Sequence, residues 1–106
     1  MQELTYILCQ NLDEDSFKDK ITQLRILIDR HRLTFDFAQA VILDKIEPCT
    51  GLLNGKECNA VAIPFLLSNH RELATMNFYM RRCAKDIGLI LSGLRFPDGG
   101  FVDMYE

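Results

Sequence analysis

The sequence predicts an α+β domain of the ferredoxin-like class, a two-layer sandwich with two helices on one face of a mostly antiparallel sheet. Two stretches each have a single apolar stripe at helical spacing, as one-sided packing on a sheet requires. The other apolar stretches are short, and the predicted order is strand, helix, strand, strand, helix, strand, strand. The first six elements match a split βαβ arrangement, and the last strand completes a C-terminal hairpin.

Composition predicts one globular domain over residues 1–106. Hydrophobic residues make up 48% and charged residues 25% of the 106 residues, which is ordinary for a folded domain. The formal net charge of −3 gives no overall indication of nucleic-acid binding. The N-terminus has no basic, apolar leader and no apolar run approaches the roughly 20 residues of a membrane span. We therefore expect a cytoplasmic protein with reduced cysteines and no membrane association.

The first two elements follow from local patterns. Leu4–Cys9 is rich in β-formers and apolar on both faces, which indicates a strand in the sheet interior. The acidic Asn11–Asp15 stretch suits the first turn of a helix, where backbone N–H groups are unpaired. A buried helical stripe follows, with Ile26 facing outward. The stripe comprises Phe17, Ile21, Leu24, Ile28 and His31.

The stretch from Thr34 to Glu47 fits two patterns. Its β-branched end and the following Pro48 favour a strand from about Gln39 to Glu47. A helical interpretation would break the predicted topology. Residues of one strand parity are Phe35, Phe37, Val41 and Leu43, and residues of one helical face are Phe35, Ala38, Ile42 and Ile46.

A hairpin is predicted across Pro48–Leu67. Asn54-Gly55 tolerates positive φ, and a two-residue turn there pairs Leu53 with Lys56 and Gly51 with Cys58. Cys49 then lies diagonally from Cys58 on one face. This placement is marginal for a disulfide, so we expect free thiols. Pro64 cannot donate to a ladder, which predicts an edge or a bulge at the far end.

The chain ends in another predicted hairpin. Leu89–Phe96 is predicted to be a strand, Pro97–Gly100 a turn and Phe101–Tyr105 the returning edge strand. The face of the sheet away from the helices is expected to be open. Phe35 and Phe37 would make it apolar there, which suggests a homodimer.

The second helix is the most clearly patterned stretch. Asn69 is the expected N-cap, with Glu72 returning a hydrogen bond, and Gly88 is the expected left-handed residue that closes the helix. One face carries the buried stripe Leu73, Met76, Met80, Cys83, Ala84 and Ile87.

The opposite face carries the candidate binding residues Arg71, Phe78, Arg81, Arg82 and Lys85. One interpretation is a solvated charged face whose arginine stems cover a single ring. The other is a docking surface, in which the ring stacks or packs and the cations attract an acidic partner or nucleic acid.

These patterns predict a small binding or regulatory module that acts through protein–protein contact. Nucleic-acid binding by the basic helix face is the alternative. A small enzyme using His31, His70 or Cys49 ranks last, because no spacing supplies a partner that would orient a catalytic base. The sequence contains no catalytic motif, no phosphate-binding loop and no metal-ligand spacing, and we expect no cofactor.

Overall fold

The computed structural model describes residues 2–11 and 16–105, which form five strands and two α-helices. The predicted acidic helix start lies largely outside these ranges. In chain order the elements are β1 (Gln2–Gln10), α1 (Phe17–His31), β2 (Glu47–Leu53), β3 (Lys56–Leu67), α2 (Arg71–Ile87), β4 (Leu89–Arg95) and β5 (Phe101–Asp103). Two short 3₁₀ helices, Asp36–Ala40 and Leu43–Lys45, connect α1 to β2.

The five strands form one antiparallel sheet in the order β2-β3-β1-β4-β5. β1 lies in the sheet interior between β3 and β4, as predicted, with Leu8 opposite both Val61 and Leu91. The register between β1 and β4 shifts at Ile7/Leu8, so Ser92 is an extra, bulged residue. The α+β class, with two helices and an antiparallel sheet, is therefore confirmed.

Both helices pack on the same face of the sheet. Alternate residues of the strands point toward them because successive strand side chains face opposite sides. Tyr6, Leu24, Phe65 and Met80 are among the fully buried side chains of this core. Tyr6 also donates its hydroxyl hydrogen to Asn77 Oδ1 of α2, so a polar contact ties the central strand to the second helix.

The second face of the sheet is closed at one end, contrary to the open face that we expected. The β2–β3 hairpin curls over it until Ser92 Oγ of β4 donates a hydrogen bond to Leu52 O of β2 at 2.9 Å. Beneath the hairpin lies a second buried cluster made mostly of small side chains, namely Ile7, Cys9, Ala60 and Ala62. A flat sheet would expose these residues, whereas the curl removes them from water.

The segment before β2 is where the sequence-based prediction was wrong. Of the predicted strand Gln39–Glu47, only Glu47 lies in a regular strand, as the first residue of β2. The segment forms the two 3₁₀ helices, and only Val41 makes an isolated bridge to Phe65. Phe35 and Phe37 therefore do not lie on the open sheet face, which removes our reason for expecting self-association there. The predicted element order survives because Glu47–Leu53 supplies the second strand.

Both hairpins and the closure of α2 agree with the sequence. Asn54 and Gly55 have φ of 51° and 76°, and Leu53 pairs with Lys56 as expected. Gly88 adopts φ 79° and its N–H bonds back to the last turn. The pairing of β3 with β2 ends at Ala62, so Pro64 has no partner in β2. This agrees with the edge that was predicted at Pro64, which cannot donate a ladder hydrogen bond.

The start of α2 differs from the predicted capping box. The cap residue is His70, and Asn69 Oδ1 accepts the Arg71 N–H at 2.8 Å. This shift puts Glu72 at the second helical position, one short of the position that a capping box requires. Its carboxylate instead accepts the Ser68 hydroxyl hydrogen at 2.7 Å.

Candidate functional site

Helix α2 has one buried face and one exposed face, as its sequence pattern predicts. Met76, Met80, Cys83 and Ala84 are buried against the sheet. Tyr79 is buried with them, which the pattern missed because its hydroxyl marks it as amphipathic. Leu73 and Ile87 complete the stripe as half-buried residues packed on the same core.

The exposed face brings together four of the five predicted binding residues. Phe78 is 71% exposed, although burial of a phenylalanine side chain is normally favourable by about 1.5–3 kcal/mol. Arg71, Arg82 and Lys85 are exposed around it on the same side of the helix. No described carboxylate lies within ion-pairing distance of these three cations. We call Arg71, Phe78, Arg82 and Lys85 the cationic face.

Arg81, the fifth predicted residue, lies at the border of the cationic face. It is half-buried, and its Nη2 donates a hydrogen bond to Met104 O at 3.0 Å. Burial raises the pKa of the nearby Tyr6 hydroxyl above its usual range, and the charge of Arg81 offsets only part of this increase. Arg81 therefore helps to hold the C-terminal segment against α2.

A groove of about 510 Å³ continues from the cationic face past the C-terminal end of α2. Lys85 belongs to both, and Arg81 stands at the groove's side. The lining of the groove is more apolar than polar and includes Leu89, Leu91 and Tyr105. The surface thus offers cations beside apolar area, a combination that favours amphipathic, negatively charged ligands.

An aromatic cluster joins the two helices on the other side of α2. The Tyr79 hydroxyl lies 2.8 Å from His31 Nδ1, and the rings of Phe35 and Phe37 pack at 5.6 Å from His31 and 4.9 Å from Tyr79, respectively. Burial raises the pKa of Tyr79 well above its usual range. His31 is thus tied to a phenol that stays protonated, and no described cysteine or carboxylate orients it as a catalytic base.

The four cysteines are free thiols. Cys9 of β1 and the hairpin residues Cys49 and Cys58 belong to the small-residue cluster that the curl of the hairpin encloses. Burial, with the hydrogen bond that the Cys9 thiol donates to Cys58, raises the pKa of Cys9 to about 12, and burial raises the pKa of Cys49 as well. A raised thiol pKa leaves little thiolate at neutral pH, which argues against a nucleophilic role.

Residues 2–11 and 16–105 contain neither a metal-ligand cluster nor a helix that could cross a membrane. No group of three or more His, Cys, Asp or Glu side chains there is arranged to hold a metal ion. His70, the other predicted catalytic candidate, is exposed at the start of α2. Neither described α-helix combines the length and hydropathy that a bilayer crossing requires.

No protein-family model, curated protein or solved structure matches this chain. The candidate site therefore rests on its own geometry, which consists of the cationic face and the adjoining groove.

Proposed function

We propose that the protein is a binding module that docks an acidic, amphipathic segment of a partner protein on the cationic face of α2. The observation that supports this most is the exposed Phe78 ring among three cations with no described acidic partner. An exposed aromatic ring flanked by cations is the kind of surface that becomes an anchor when a partner covers it.

Charge favours an acidic partner over a second copy of the chain. Two copies that met through this face would bring cations against cations, and like charges in a contact cost free energy. A segment bearing glutamate or aspartate would pair with Arg71, Arg82 and Lys85. An apolar residue of the same segment would pack on Phe78 or enter the groove beside Lys85.

The expected complex is weak and sensitive to salt. Exposed ion pairs are each worth about 0.2–1 kcal/mol, and salt screens them over about 8–10 Å. Most of the specific free energy would then come from covering Phe78.

The test is fluorescence anisotropy with a labelled peptide that carries glutamates and leucines at helical spacing. Phe78→Ala and Arg82→Ala should each weaken binding by about tenfold, which corresponds to about 1.4 kcal/mol. Ile26→Ala is the control, because Ile26 is an exposed apolar residue on α1, away from the cationic face, and it should leave affinity unchanged. Equal affinity of wild type and Phe78→Ala would reject the proposal.

Nucleic acid is tested in the same assay with labelled single-stranded and duplex oligonucleotides. Nucleic-acid binding would give an affinity that falls steeply with salt, at about one counterion per phosphate contact. If oligonucleotides bind more tightly than the acidic peptide, and Arg82→Ala weakens them, the protein-docking proposal is wrong and the alternative replaces it.

We also propose that the protein has a ferredoxin-like fold and is located in the cytoplasm. The order β2-β3-β1-β4, with both helices on one face, supports membership of the ferredoxin-like class with β5 as an addition. Four free cysteines support a reducing compartment, and we propose the cytoplasm.

A further inference from the structure

A second groove, of about 550 Å³, lies on the other flank of α2. It separates the 3₁₀ helix Asp36–Ala40 from the end of β3 and the first turns of α2. We call it the acidic groove, since Asp36 and Glu72 are the charged residues among those that line it, and none of its described lining residues is a cation.

The groove exists because the chain leaves the sheet at this point. Val41 bridges Phe65, and the Ile42 N–H bonds to Pro64 O at 2.9 Å. Upstream of Val41 the backbone turns into the 3₁₀ helix and moves away from β3. On this side the last residues of β3 therefore border a gap, whereas on their other side they pair with β1.

Apolar side chains form much of the groove's lining. Leu66 is 38% exposed, and the half-buried Phe37 stacks on the exposed Phe35 with ring centroids 5.3 Å apart. Met76 of α2 lines the inner side. A ligand in the groove would remove this apolar surface from water, which favours binding.

The carboxylates of Asp36 and Glu72 favour a positively charged ligand. The Ser68 hydroxyl donates to Glu72 Oε2 at 2.7 Å, which orients that carboxylate but leaves acceptor sites on it free. Asp36 is exposed across the groove, in the first turn of its 3₁₀ helix. Lysine and arginine fit such a site, because their aliphatic stems lie on apolar surface while their charged ends reach carboxylates.

We propose that the acidic groove binds a lysine- or arginine-bearing segment of a partner protein, with the cation held by Asp36 and Glu72. The proposal is independent of the cationic face, which lies on another side of α2. If both proposals hold, α2 links an acidic and a basic partner.

The test uses a labelled peptide of alternating leucine and lysine, with a leucine and glutamate peptide for comparison, in fluorescence anisotropy at low salt. Wild type should bind the lysine peptide through the acidic groove, whereas its binding of the glutamate peptide should not involve Asp36 and Glu72. The double variant Asp36→Asn/Glu72→Gln should bind it at least about tenfold more weakly. The amide oxygen that Glu72→Gln introduces can still accept the Ser68 hydroxyl hydrogen, so the groove should keep its shape.

A matched control removes two exposed carboxylates elsewhere. Asp29→Asn/Glu57→Gln has the same change in net charge and should bind the lysine peptide within about twofold of wild type. If both double variants lose affinity equally, attraction is nonspecific and the proposal fails. It also fails if the groove variant binds normally, or if the wild type does not bind the lysine peptide.

Two further measurements separate the remaining explanations. Thermal unfolding of the groove variant should match wild type, and its binding of the acidic peptide should persist, whereas Phe78→Ala should keep lysine-peptide binding. Light scattering after gel filtration tests whether a second copy occupies the groove. A wild-type dimer that Asp36→Asn/Glu72→Gln converts to a monomer would overturn the proposed partner.

Discussion

At Gly51 the backbone of β2 crosses the buried small-residue cluster with no space for a side chain. A Cβ atom there would lie 2.4 Å from Cys9 Sγ and 2.9 Å from Ala60 Cβ. Both contacts are shorter than van der Waals distance, so the hairpin would have to move outward. The curl of β2 over the sheet therefore depends on the absence of a side chain at this position.

Gly51→Ala should lower the free energy of unfolding by about 1–3 kcal/mol, because overpacking forces neighbouring atoms to shift. Urea unfolding measures it. Thr50→Val, at the exposed neighbouring position, should change stability by less than about 1 kcal/mol. Cys9→Ala should offset part of the loss in a double variant, since it removes the nearest atom. Simple additivity of the two losses would contradict this packing account.

The buried thiols Cys9 and Cys83 predict a loss of stability in alkali. Burial raises their pKa values to about 12 and about 11, whereas the ordinary value is 9.0. The unfolded chain thus releases these protons first as the pH rises. Their contribution to the free energy of unfolding is complete below about pH 9 and is lost progressively through about pH 11–12.

The free energy of unfolding, measured by urea denaturation, should therefore be constant from about pH 7 to about pH 8.5 and then fall, by up to about 1.4 kcal/mol per pH unit for each thiol. The buried hydroxyls of Tyr6 and Tyr79 act in the same direction at higher pH. Cys9→Ala should have a shallower decline than wild type. If the free energy of unfolding stays constant to about pH 11, the fold does not raise the pKa values of these thiols, and the prediction is wrong.

Single residues were predicted unequally well from the sequence. Phe78 and Arg82 were placed correctly on the exposed side, because helical periodicity assigns faces directly. Tyr79 was missed because its hydroxyl marks it as amphipathic, and the partner of that hydroxyl, His31, lies 48 positions away, where no local pattern reaches. Asp36 and Glu72 were not recognised as neighbours for the same reason.

Helix α2 as an element gives a direct comparison between its two faces. Met80 is fully buried and Phe78 is 71% exposed, although they are two positions apart. Met80→Ala should lower the free energy of unfolding by about 2–5 kcal/mol, because it leaves a cavity in the core. Phe78→Ala should change it by less than about 0.5 kcal/mol.

Chemical unfolding of both variants measures the difference. A large loss for Phe78→Ala would show that the ring stabilises the fold, and the docking proposal would lose its main support. A small loss for Met80→Ala would show that the helix packs loosely on the sheet. The pair therefore tests the two-sided helix before any ligand is sought.

The segment from Thr34 to Ile46 shows where element prediction fails. Its alternating apolar residues resemble a strand, but its aromatic side chains pack on the helices and most of its backbone closes 3₁₀ turns. Arg25 of α1 donates to Ile46 O and fixes the end of the segment. The spacing of apolar residues does not distinguish a helix from a strand in so short a run, and tertiary contacts determine the structure of this segment.

The molecule as a whole is organised around β1, which has a strand on each side over most of its length. Backbone amides of the most connected elements open only by global unfolding, whereas those of edge strands open locally. Hydrogen exchange should therefore be slowest for β1 and fastest for β5, which has only three residues and no buried side chain. Comparable protection of β5 and β1 would indicate that another surface covers the edge.

The element order was predictable from sequence and the closure of the sheet was not. Turn residues and apolar periods fix each element locally, and short connections between successive elements leave few ways to pair the strands. Curling depends on several small residues meeting, including Gly51, Ala60 and Ala62, and on the bulge that turns Ser92 toward Leu52. Small residues carry little weight in a hydrophobic pattern, so the pattern predicted an open face.

The central position of β1 has a consequence for synthesis on the ribosome. Leu8 leaves the exit tunnel well before its partners, since Val61 follows about 50 residues later and Leu91 about 80 residues later. Until then this apolar stretch has no complementary backbone to pair with. Nascent chains should remain protease-sensitive until β3 and β4 have emerged, and β1 should be a preferred target for chaperones that shield newborn polypeptides.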